Sequence, residues 1–250
     1  MRLVNLLGSG AQADVYEHEG KAVKLFRPGC DKNAVFYEAY ANSLVENTGL
    51  PVPKVFEISY NNCRWAIIME LIKGSRVNDL IISDSKNSSY YIDQMVNLHV
   101  KTQSKEIYGL RSLKRTLKDK ILSVDILESD IKDKLILRLN DLPDGRCLCH
   151  NDFHSLNIVK DKDSFYIVDW AEAAFGNPEA DVCRSYMVYK LYASYMADQY
   201  LDLYCKKTNI KKDFVLRWLP IIAAARLTER ENHCDETKIL LPWINEIINV

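Results

Sequence analysis

The stretch from His150 to Asp169 limits what this chain can fold into more than any other part of the sequence. Its first eight residues, HNDFHSLN, place two histidines, two asparagines and an aspartate on one short loop between apolar flanks. Asp152 and Asn157 are separated by four residues, and Asp169 follows twelve positions later at the end of an expected strand. Three interpretations compete: a polar turn, a Cys/His metal site, and the catalytic loop of an enzyme that transfers phosphoryl groups.

The composition is that of an ordinary globular protein and excludes some classes of function. With 250 residues, 48% hydrophobic and 27% charged, the chain is long enough to build one large domain or two lobes around a core. A formal net charge of -1 gives no reason to expect nucleic acid or a membrane as a partner. No stretch reaches the roughly 18 apolar residues of a membrane span, and the first residues lack a signal-peptide core. The seven scattered cysteines then indicate reduced thiols and a cytoplasmic location.

The spacing of apolar residues changes from a strand pattern to a helix pattern along the chain. The first third has alternating runs joined by a glycine loop and tight turns, then an apolar run that ends at Glu70, which together predict an antiparallel sheet. Asp31 is a suitable cap for a helix that continues to about Glu46. After a short linker at 70–74, apolar residues recur at helical spacing in six segments: 88–103, 111–121, 124–140, 179–206, 211–229 and 236–249.

These patterns predict an α+β fold with two lobes. Residues 1–73 are expected to form a small N-terminal lobe, a five-stranded antiparallel sheet with one helix. Residues 74–250 are expected to form a larger helical lobe. Its helices are interrupted once, by a short strand, the polar loop and a hairpin turned by the DKD sequence at 161–163.

The glycine pair Gly8 and Gly10 is a weak signal alone, because two glycines often make only a hairpin turn. The next strand, however, carries Lys24 in AVK, where its ammonium group could reach a phosphate. A glycine loop allows backbone N–H groups to approach phosphate oxygens closely. Glu38, in the following helix, could hold Lys24 by an ion pair, although an exposed helix residue is an equally good interpretation.

Phosphoryl transfer needs the groups that the loop at 150–157 provides. One carboxylate must lie near the attacking hydroxyl, and oxygen ligands must hold magnesium on the phosphates. Asp152 fits the first role, and Asn157 and Asp169 fit the second. His150 is expected to brace the loop by hydrogen bonds. Each residue alone is more often structural than catalytic, but the complete order is difficult to obtain by chance.

With these residues in place, the chain resembles the aminoglycoside phosphotransferase family, part of the wider protein-kinase-like fold. The resemblance covers nearly the whole chain through a series of motifs: GSGAQADVY, AVKLF, FYEAYANSL, LPVPKVF, IIMELIKG, NLH, HNDFHSLNIV and IVDWAEAAFGNPEADVCRSY. The segment from His150 to Asn157 together with VDW is the specific part, and the glycine loop is the least specific.

The resemblance implies an ATP-dependent kinase that uses Mg²⁺ and transfers the γ-phosphate to an acceptor hydroxyl. It implies that Asp152 is the catalytic base and that Asn157 and Asp169 bind the metal. ATP is then expected under the loop Gly8, Ser9, Gly10 and Ala11, with Lys24 on the α/β-phosphates and Glu38 as its partner. The backbone of Glu70 and Ile72 would bind the adenine, with Met69 behind it, and Asp181 would brace the catalytic loop.

Three positions depart from the pattern of this family. Ala13 stands where a third glycine is expected. Asn151 replaces the usual glycine, giving the HND that choline and ethanolamine kinases also show. Trp170 and Ala171 make the sequence DWA in place of the D-F-G of protein kinases, as is common in small-molecule kinases.

A zinc site would use Cys147, Cys149, His150 and His154. An extended strand through 147–149 puts both sulfur atoms on one side and His150 on the other, which suits tetrahedral coordination poorly. The metal interpretation also leaves the flanking motifs unexplained. The two cysteines are therefore expected to be buried small hydrophobic residues.

The acceptor is expected to be a small molecule, because Asp169 is followed within nine residues by NPEAD and a helix, which leaves no room for the activation segment of a protein kinase. An aminoglycoside-like or amino-sugar acceptor is slightly preferred. The acidic run at 228–236 could hold a cation, although a solvated helix end is the better interpretation of that run alone. Choline or ethanolamine is the alternative, with an aromatic cage conceivable among Tyr186, Tyr189, Tyr192 and Tyr195. A non-catalytic nucleotide-binding pseudokinase is the second alternative. The oligomeric state is not predictable from these patterns.

Overall fold

The computed structural model describes residues 5–229 and 234–246, and the side chains from residue 236 in the latter range. By its internal contacts the chain divides into two compact units. The first is Met1–Ser88 with Ser155–Ala173, and the second is Ser89–His154 with Ala174–Val250. The lobe boundary expected after residue 73 stays a prediction.

The first unit contains the five-stranded antiparallel sheet that the sequence predicts. Its strands lie in the order β1-β2-β3-β5-β4, and all neighbours run antiparallel. The strands are β1 (Asn5–Ser9), β2 (Ala13–His18), β3 (Lys21–Phe26), β4 (Val55–Asn61) and β5 (Arg64–Glu70).

One helix, α1 (Lys32–Glu46), packs on this sheet. The side chain of Asp31 accepts a hydrogen bond from the backbone N–H of Asn33 at 3.1 Å, so it caps the helix as predicted. Val35 and Ala39, one turn apart on the buried face of α1, join Phe26 and Ile67 of the sheet in one apolar cluster. This packing fixes Glu38, the neighbour of Ala39, close to the sheet.

A second, three-stranded sheet follows in the first unit, in the order β6-β8-β9. Its strands are β6 (Ser75–Arg76), β8 (Ile158–Asp161) and β9 (Ser164–Ile167). The DKD turn joins β8 to β9 as expected, with Lys162 in the left-handed region at φ 52°. The sequence patterns did not predict β6 or the helix α2 (Val77–Ser83) after it.

The second unit is mostly helical and carries one two-stranded sheet, β7 (Cys147–Cys149) with β10 (Ala174–Gly176). Its first helices match the expected segments: α3 (Ser88–Gln103), α4 (Leu113–Ser123) and α5 (Ser129–Asp141). The later ones are α6 (Pro178–Tyr192), α7 (Ser194–Thr208), α8 (Lys212–Leu216), α9 (Leu219–Arg226) and α10 (Cys234–Asn245).

Two of the expected long helices are each divided in the structure. The segment 179–206 breaks at Ala193, whose backbone leaves the helical region (φ -149°, ψ 57°), so that α6 and α7 are separate helices. The segment 211–229 breaks before Pro220, which occupies the first turn of α9, where proline needs no N–H partner. Within 5–229 and 234–246, no helix has the length and apolar character needed to cross a bilayer.

Candidate active site

A cavity of about 230 Å³ in the first unit brings together most of the residues expected to hold the nucleotide and the metal. The predicted residues that line it are Lys24, Glu38, Met69, Glu70, Ile72, Asn157 and Asp169. The walls include apolar side chains from the sheet, among them Val15, Ala22 and Ile67. Concave, largely apolar cavities with a few converging polar groups are typical of small-molecule sites.

Lys24 is the charged centre of this cavity. Its Nζ donates to Oε1 of Glu38 at 2.6 Å and to Oδ1 of Asp169 at 2.9 Å. The ion pair expected between Lys24 and Glu38 is therefore present. Burial alone would lower the pKa of Lys24, but the carboxylates of Asp169 and Glu38 outweigh it and raise that pKa above its ordinary value. Lys24 stays charged.

The pKa of Glu38 is controlled mainly by burial, because its side chain is almost fully buried. Burial raises the pKa of its carboxyl group to about 7; the nearby Lys24 opposes this rise and Asp169 adds to it. Both acidic partners of Lys24 lie in one place, so the cavity holds two carboxyl groups around a single ammonium group.

The two residues expected to bind magnesium are positioned by short local structures. Asn157 ends a 3-10 turn at Ser155–Asn157, and its carbonyl oxygen accepts a hydrogen bond from the N–H of Val168 at 3.0 Å. The next residue, Asp169, follows strand β9 with φ 66°, a left-handed conformation. This backbone bond keeps the two side chains near the same cavity, and carboxylate and amide oxygens are donors that suit Mg²⁺.

The glycine loop between β1 and β2 is held by a backbone hydrogen bond and by side chains of β1, of β2 and of the residue after β3. The N–H of Gly10 donates to the carbonyl of Ala13 at 2.9 Å, and the hydroxyl of Ser9 donates to Asp14 at 2.6 Å. Arg27 donates to the same carboxylate at 2.7 Å. Gly8, Ser9, Gly10 and Ala11 are not among the residues that line the cavity. Their expected role on the phosphates remains a prediction.

The expected adenine contacts lie at the end of β5. Met69, Glu70 and Ile72 all line the cavity. The backbone N–H of Glu70 already donates to the carbonyl of Lys54 at 2.8 Å, and its side chain accepts from the N–H of Lys54 at 3.2 Å. The backbone N–H of Glu70 is therefore occupied, and a ligand would have to use other backbone groups of this segment.

Asp152 belongs to the second unit and lies in a strongly charged setting. His154 Nε2 is 3.3 Å from one oxygen of its carboxylate, and a guanidinium nitrogen of Arg184 is 3.7 Å from the other. Burial raises the pKa of Asp152, but His154 and Arg184 outweigh it and hold that pKa well below its usual range. The carboxylate is therefore ionised at neutral pH.

Asp181 braces the loop that carries Asp152. Its buried carboxylate accepts hydrogen bonds from the backbone N–H groups of His150 at 3.2 Å and Asn151 at 2.7 Å. It also lies 2.7 Å from Nε2 of His99, whose ring stacks on Phe153 with centroids 4.1 Å apart. A buried network of this kind is rigid when its members are satisfied.

Backbone conformation and burial explain the residue types at two positions in the loop. Asn151 has φ 59°, a left-handed conformation that asparagine tolerates better than most residues other than glycine. This accounts for asparagine where the resembling family has glycine. His150 is fully buried, and its Nδ1 accepts from the N–H of Asp152 at 3.2 Å. This bond lies within the loop, and the bracing role expected of His150 remains a prediction.

Sequence patterns missed Arg184, which lies next to Asp152, and the basic residues around its partner Glu229. Arg184 donates to Glu229 through two nitrogens, at 3.1 Å and 2.6 Å. Lys120 and Arg226 also contact that carboxylate, at 2.9 Å and 2.6 Å. The only sequence signal for Arg184 is its position three residues after Asp181 on a helix, which gives it no obvious role.

The acidic run at 228–236 does not offer open carboxylates at the positions that the structure describes. Glu229 is surrounded by three cations, and Glu236 pairs with Arg226 and accepts from the hydroxyl of Tyr192. Glu231 and the side chain of Asp235 lie outside the described part. At Glu229 and Glu236, the carboxylates that were expected to attract a cationic acceptor are therefore already paired with the protein's own basic groups.

The four tyrosines considered for an aromatic cage have different surroundings. Tyr186 and Tyr189 are buried, and the ring of Tyr189 lies 5.2 Å from that of Tyr200. Tyr192 and Tyr195 are exposed, by 57% and 68%. The three-residue spacing thus distributes them around α6 and onto the first turn of α7, and they do not form one pocket.

The zinc interpretation gains no support from the described residues. In 5–229 and 234–246, no three His, Cys, Asp or Glu side chains converge in a way that could hold a metal ion. Cys149 is buried, and burial raises the pKa of its thiol well above the ordinary value. The pKa of Cys147 is also raised by burial. Zinc ligation needs the thiolate form, which these surroundings disfavour.

Comparison with solved structures places the fold among small-molecule kinases. A thermostable variant of the aminoglycoside phosphotransferase APH(4)-Ia, in complex with ADP and hygromycin B, is 15% identical with a TM-score of 0.72, over 99% of this chain and 93% of that one. The choline kinase LicA from Streptococcus pneumoniae is 16% identical with a TM-score of 0.63, over 99% and 95%. At these identities the likeness establishes the two-lobed kinase-like fold, which confirms the predicted fold class.

A third structure, APH(3'')-Id from Streptomyces rimosus in complex with ADP and streptomycin, is 13% identical with a TM-score of 0.61, over 84% of this chain and 90% of that one. No curated protein matches the sequence. The family described as "Phosphotransferase enzyme family" matches residues 4–219, which include the cavity residues, Asp152 and Asp181. The chain belongs to this phosphotransferase family, as its motifs suggested.

Proposed function

We propose that this protein is an ATP-dependent kinase that transfers the γ-phosphoryl group to a hydroxyl of a small molecule. The observation that carries the proposal is the convergence of Lys24, Glu38, Asn157 and Asp169 on one cavity. Lys24 and Asp169 are 145 residues apart in sequence, yet they form a direct ion pair. Their residue types and their order are those that phosphoryl transfer requires.

The proposal assigns the nucleotide to the first unit. Lys24 would offer its ammonium group to the phosphates, held in position by Glu38 and Asp169. Asn157 and Asp169 would hold Mg²⁺, which supplies positive charge to the phosphates during transfer. The fit is good because both side chains present oxygen donors to the cavity that Lys24 lines. The segment from Met69 to Ile72 would contact the adenine.

In this proposal, Asp152 of the second unit accepts the proton of the acceptor's hydroxyl group. The hydroxyl oxygen of the acceptor forms a bond to phosphorus while the bond from phosphorus to the leaving ADP oxygen breaks, and Asp152 takes the hydroxyl proton. The neighbouring Arg184 and His154 keep the carboxylate ionised, so it can accept a hydrogen bond from the hydroxyl, orient it and take its proton as the bond to phosphorus forms. The brace through Asp181 keeps the loop in one conformation.

The nature of the acceptor follows only in part. Similar structures hold hygromycin B and streptomycin, and another is a choline kinase, so an amino-sugar and an amino alcohol are both reasonable acceptors. The paired state of Glu229 and Glu236 favours compounds whose affinity does not depend on those two carboxylates. A cytoplasmic location fits this proposal, because ATP is supplied there and the described cysteines are free thiols.

A coupled assay of ADP release across aminoglycosides, choline, ethanolamine, other amino alcohols and sugars tests the proposal. We expect one class to stimulate ADP release far above the rate of ATP hydrolysis, and Asp152→Asn to abolish that stimulation. Asp163→Asn, an exposed residue in the β8–β9 turn, serves as the matched control. Nucleotide binding without stimulation by any acceptor would favour the pseudokinase, and phosphorylation of a protein would contradict a small-molecule acceptor.

A further inference from the structure

Arg76 is a charged residue of the nucleotide cavity for which the chemistry above has no use. It is the last residue of β6, pairs with Val159 of β8 and lines the cavity. The other charged lining residues have partners: Lys24 pairs with Glu38 and Asp169, and Glu70 accepts from Lys54. The side chain of Arg76 forms no hydrogen bond or ion pair with any residue in the described part of the chain.

The glycine loop makes close contact with this guanidinium group. A Cβ atom added to Gly8 would lie 1.9 Å from Nη2 of Arg76 and 3.0 Å from its Cζ. Only glycine at position 8 leaves room for the guanidinium where it lies. The loop expected to cover the phosphates therefore contacts Arg76, which lines the cavity, although Gly8 itself does not line the cavity.

The charges around the cavity indicate what such an arginine would bind. Lys24 carries one positive charge against the two carboxyl groups that contact it, and Glu70 adds a third acidic side chain to the lining. A nucleotide with several phosphate charges needs a cation whose charge is not already matched. A guanidinium offers a planar fork of donors that matches two phosphate oxygens.

We propose that Arg76 binds a phosphate group of the nucleotide and makes the cavity selective for nucleotides over nucleosides. The inference rests on the proposed kinase function and adds a phosphate-binding residue to it. Arg76 lies in the sequence just after the segment that would contact the adenine, at residues 69–72. It lies on β6 of the three-stranded sheet, whereas Lys24 lies on β3 of the five-stranded sheet, so the two basic residues that line the cavity come from different sheets.

The proposal predicts a difference between ligands that calorimetric titration measures. Adenosine, AMP and ADP with MgCl₂ would be titrated into the wild-type protein, Arg76→Gln and Arg76→Lys. Removing a charge-assisted hydrogen-bonding partner should weaken ADP binding by about tenfold or more and leave adenosine binding unchanged. Arg76→Lys keeps the charge but loses the fork, so an intermediate loss for ADP is expected. Lys73→Gln, an exposed neighbour that does not line the cavity, is the control for loss of one charge.

Gly8→Ala provides a second, independent way to disturb Arg76. The added methyl would displace the guanidinium, which is the far end of a flexible side chain, without removing its charge. If Gly8→Ala acts through Arg76, its loss of ADP affinity and that of Arg76→Gln should be clearly less than additive in the double variant. Additive losses would contradict a shared contact.

The outcomes separate this inference from the proposed function. Loss of ADP affinity in Arg76→Gln with adenosine unaffected supports the phosphate contact. Equal losses for adenosine and ADP would overturn it in favour of a contact to the nucleoside, and unchanged ADP affinity would overturn it altogether while the kinase proposal stands. Failure of the folded wild-type protein to bind any of the three ligands would overturn both. A melting curve for each variant confirms that it is folded.

Discussion

At the scale of single residues, Asp152 carries the chemistry of the proposed reaction. Asp152→Asn keeps the volume and one acceptor oxygen but removes the negative charge that Arg184 and His154 stabilise. We expect turnover to fall roughly 10²–10⁴-fold, the usual range for a positioned general base. Steady-state kinetics with the best acceptor measures it. Affinity for ATP with Mg²⁺ should change little, because Asn157 and Asp169 remain.

Asp169→Asn makes the contrast that tests this division of roles. It should weaken the binding of ATP with Mg²⁺ first, since Asp169 both contacts Lys24 and offers the oxygen donors expected to hold the metal. Near-normal turnover in Asp152→Asn, under conditions where the chemical step limits the rate, would show that the loop at 150–157 does not act as proposed.

Glu38 should give the stability of the protein a measurable dependence on pH. Its pKa is about 7 in the folded protein against an ordinary value of 4.5, so between these pH values the folded state binds more protons than the unfolded state. The stability that this group contributes is therefore fully present below about pH 4.5 and is lost as the pH rises through 7. The Glu38→Gln variant lacks this dependence, because glutamine has no group that titrates.

Denaturant unfolding of wild type and Glu38→Gln at several pH values measures this effect. The free energy of unfolding of the wild type, relative to the variant, should decrease from pH 4.5 to 7, by at most about 1.4 kcal/mol per pH unit. Glu57→Gln, at an exposed position, controls for the loss of one negative charge. A relative stability that rises over this range would mean that pairing with Lys24, and not burial, dominates the pKa of Glu38.

The residues of the site differ in how well the sequence predicts them, for a physical reason. Lys24, Glu38 and Asp169 follow from their spacing because each sits at a fixed place on, or just after, a strand or helix. Arg76 and Arg184 do not, since nothing in their local sequence distinguishes them from exposed arginines. Their roles depend on what the folded chain brings next to them, Gly8 in one case and Asp152 with Glu229 in the other.

At the scale of elements, close backbone approach at Gly74 fixes β6 against β8. A Cβ atom at Gly74 would lie 2.1 Å from the carbonyl oxygen of Lys160 and 2.6 Å from its carbon. Backbone atoms cannot move aside as a side chain can, so we expect Gly74→Ala to destabilise the protein by about 1–3 kcal/mol. Urea unfolding measures the difference.

Gly10→Ala is the matched control for this substitution. Its added Cβ would lie 3.5 Å from the carbonyl oxygen of Ala13, an ordinary contact. Its free energy of unfolding should therefore stay within about 0.5 kcal/mol of the wild type. Equal losses of stability in both variants would mean that the two glycines matter for backbone flexibility and that the approach to β8 is unimportant.

Elements that depend on local signals were predicted well, and those that depend on packing were not. Asp31 starts α1 because a capping side chain acts within two residues. The break at Ala193 lies between two runs of helix-forming residues and has no local cause, since alanine has the highest helix propensity. The break before Pro220 does have a local signal, which the periodicity of apolar residues conceals.

At the scale of the whole molecule, the least predictable feature is the composition of the two units. The segment Ser155–Ala173 belongs to the first unit, which also contains the N-terminal sheet, while the residues on either side of it belong to the second unit. Periodicity identifies the β8–β9 hairpin but cannot say which sheet it joins. The pairing of Ser75 with Lys160 joins the hairpin to β6. These two residues are separated in sequence by more than half the length of a typical domain, so local patterns do not show that they pair.

The stability of the whole protein should respond to nucleotide. A ligand that binds only the folded state stabilises it by about 2.7 kcal/mol at a concentration of 100 times its Kd, which corresponds to roughly 5–11 °C in Tm for a chain of this size. We therefore expect ATP with Mg²⁺ to raise the Tm by several degrees in differential scanning fluorimetry. The rise should be lost in Asp169→Asn, which removes a carboxylate from the cavity, and kept in Asp163→Asn, which makes the same change at an exposed turn. A rise of equal size in both variants would place the nucleotide outside the cavity around Lys24.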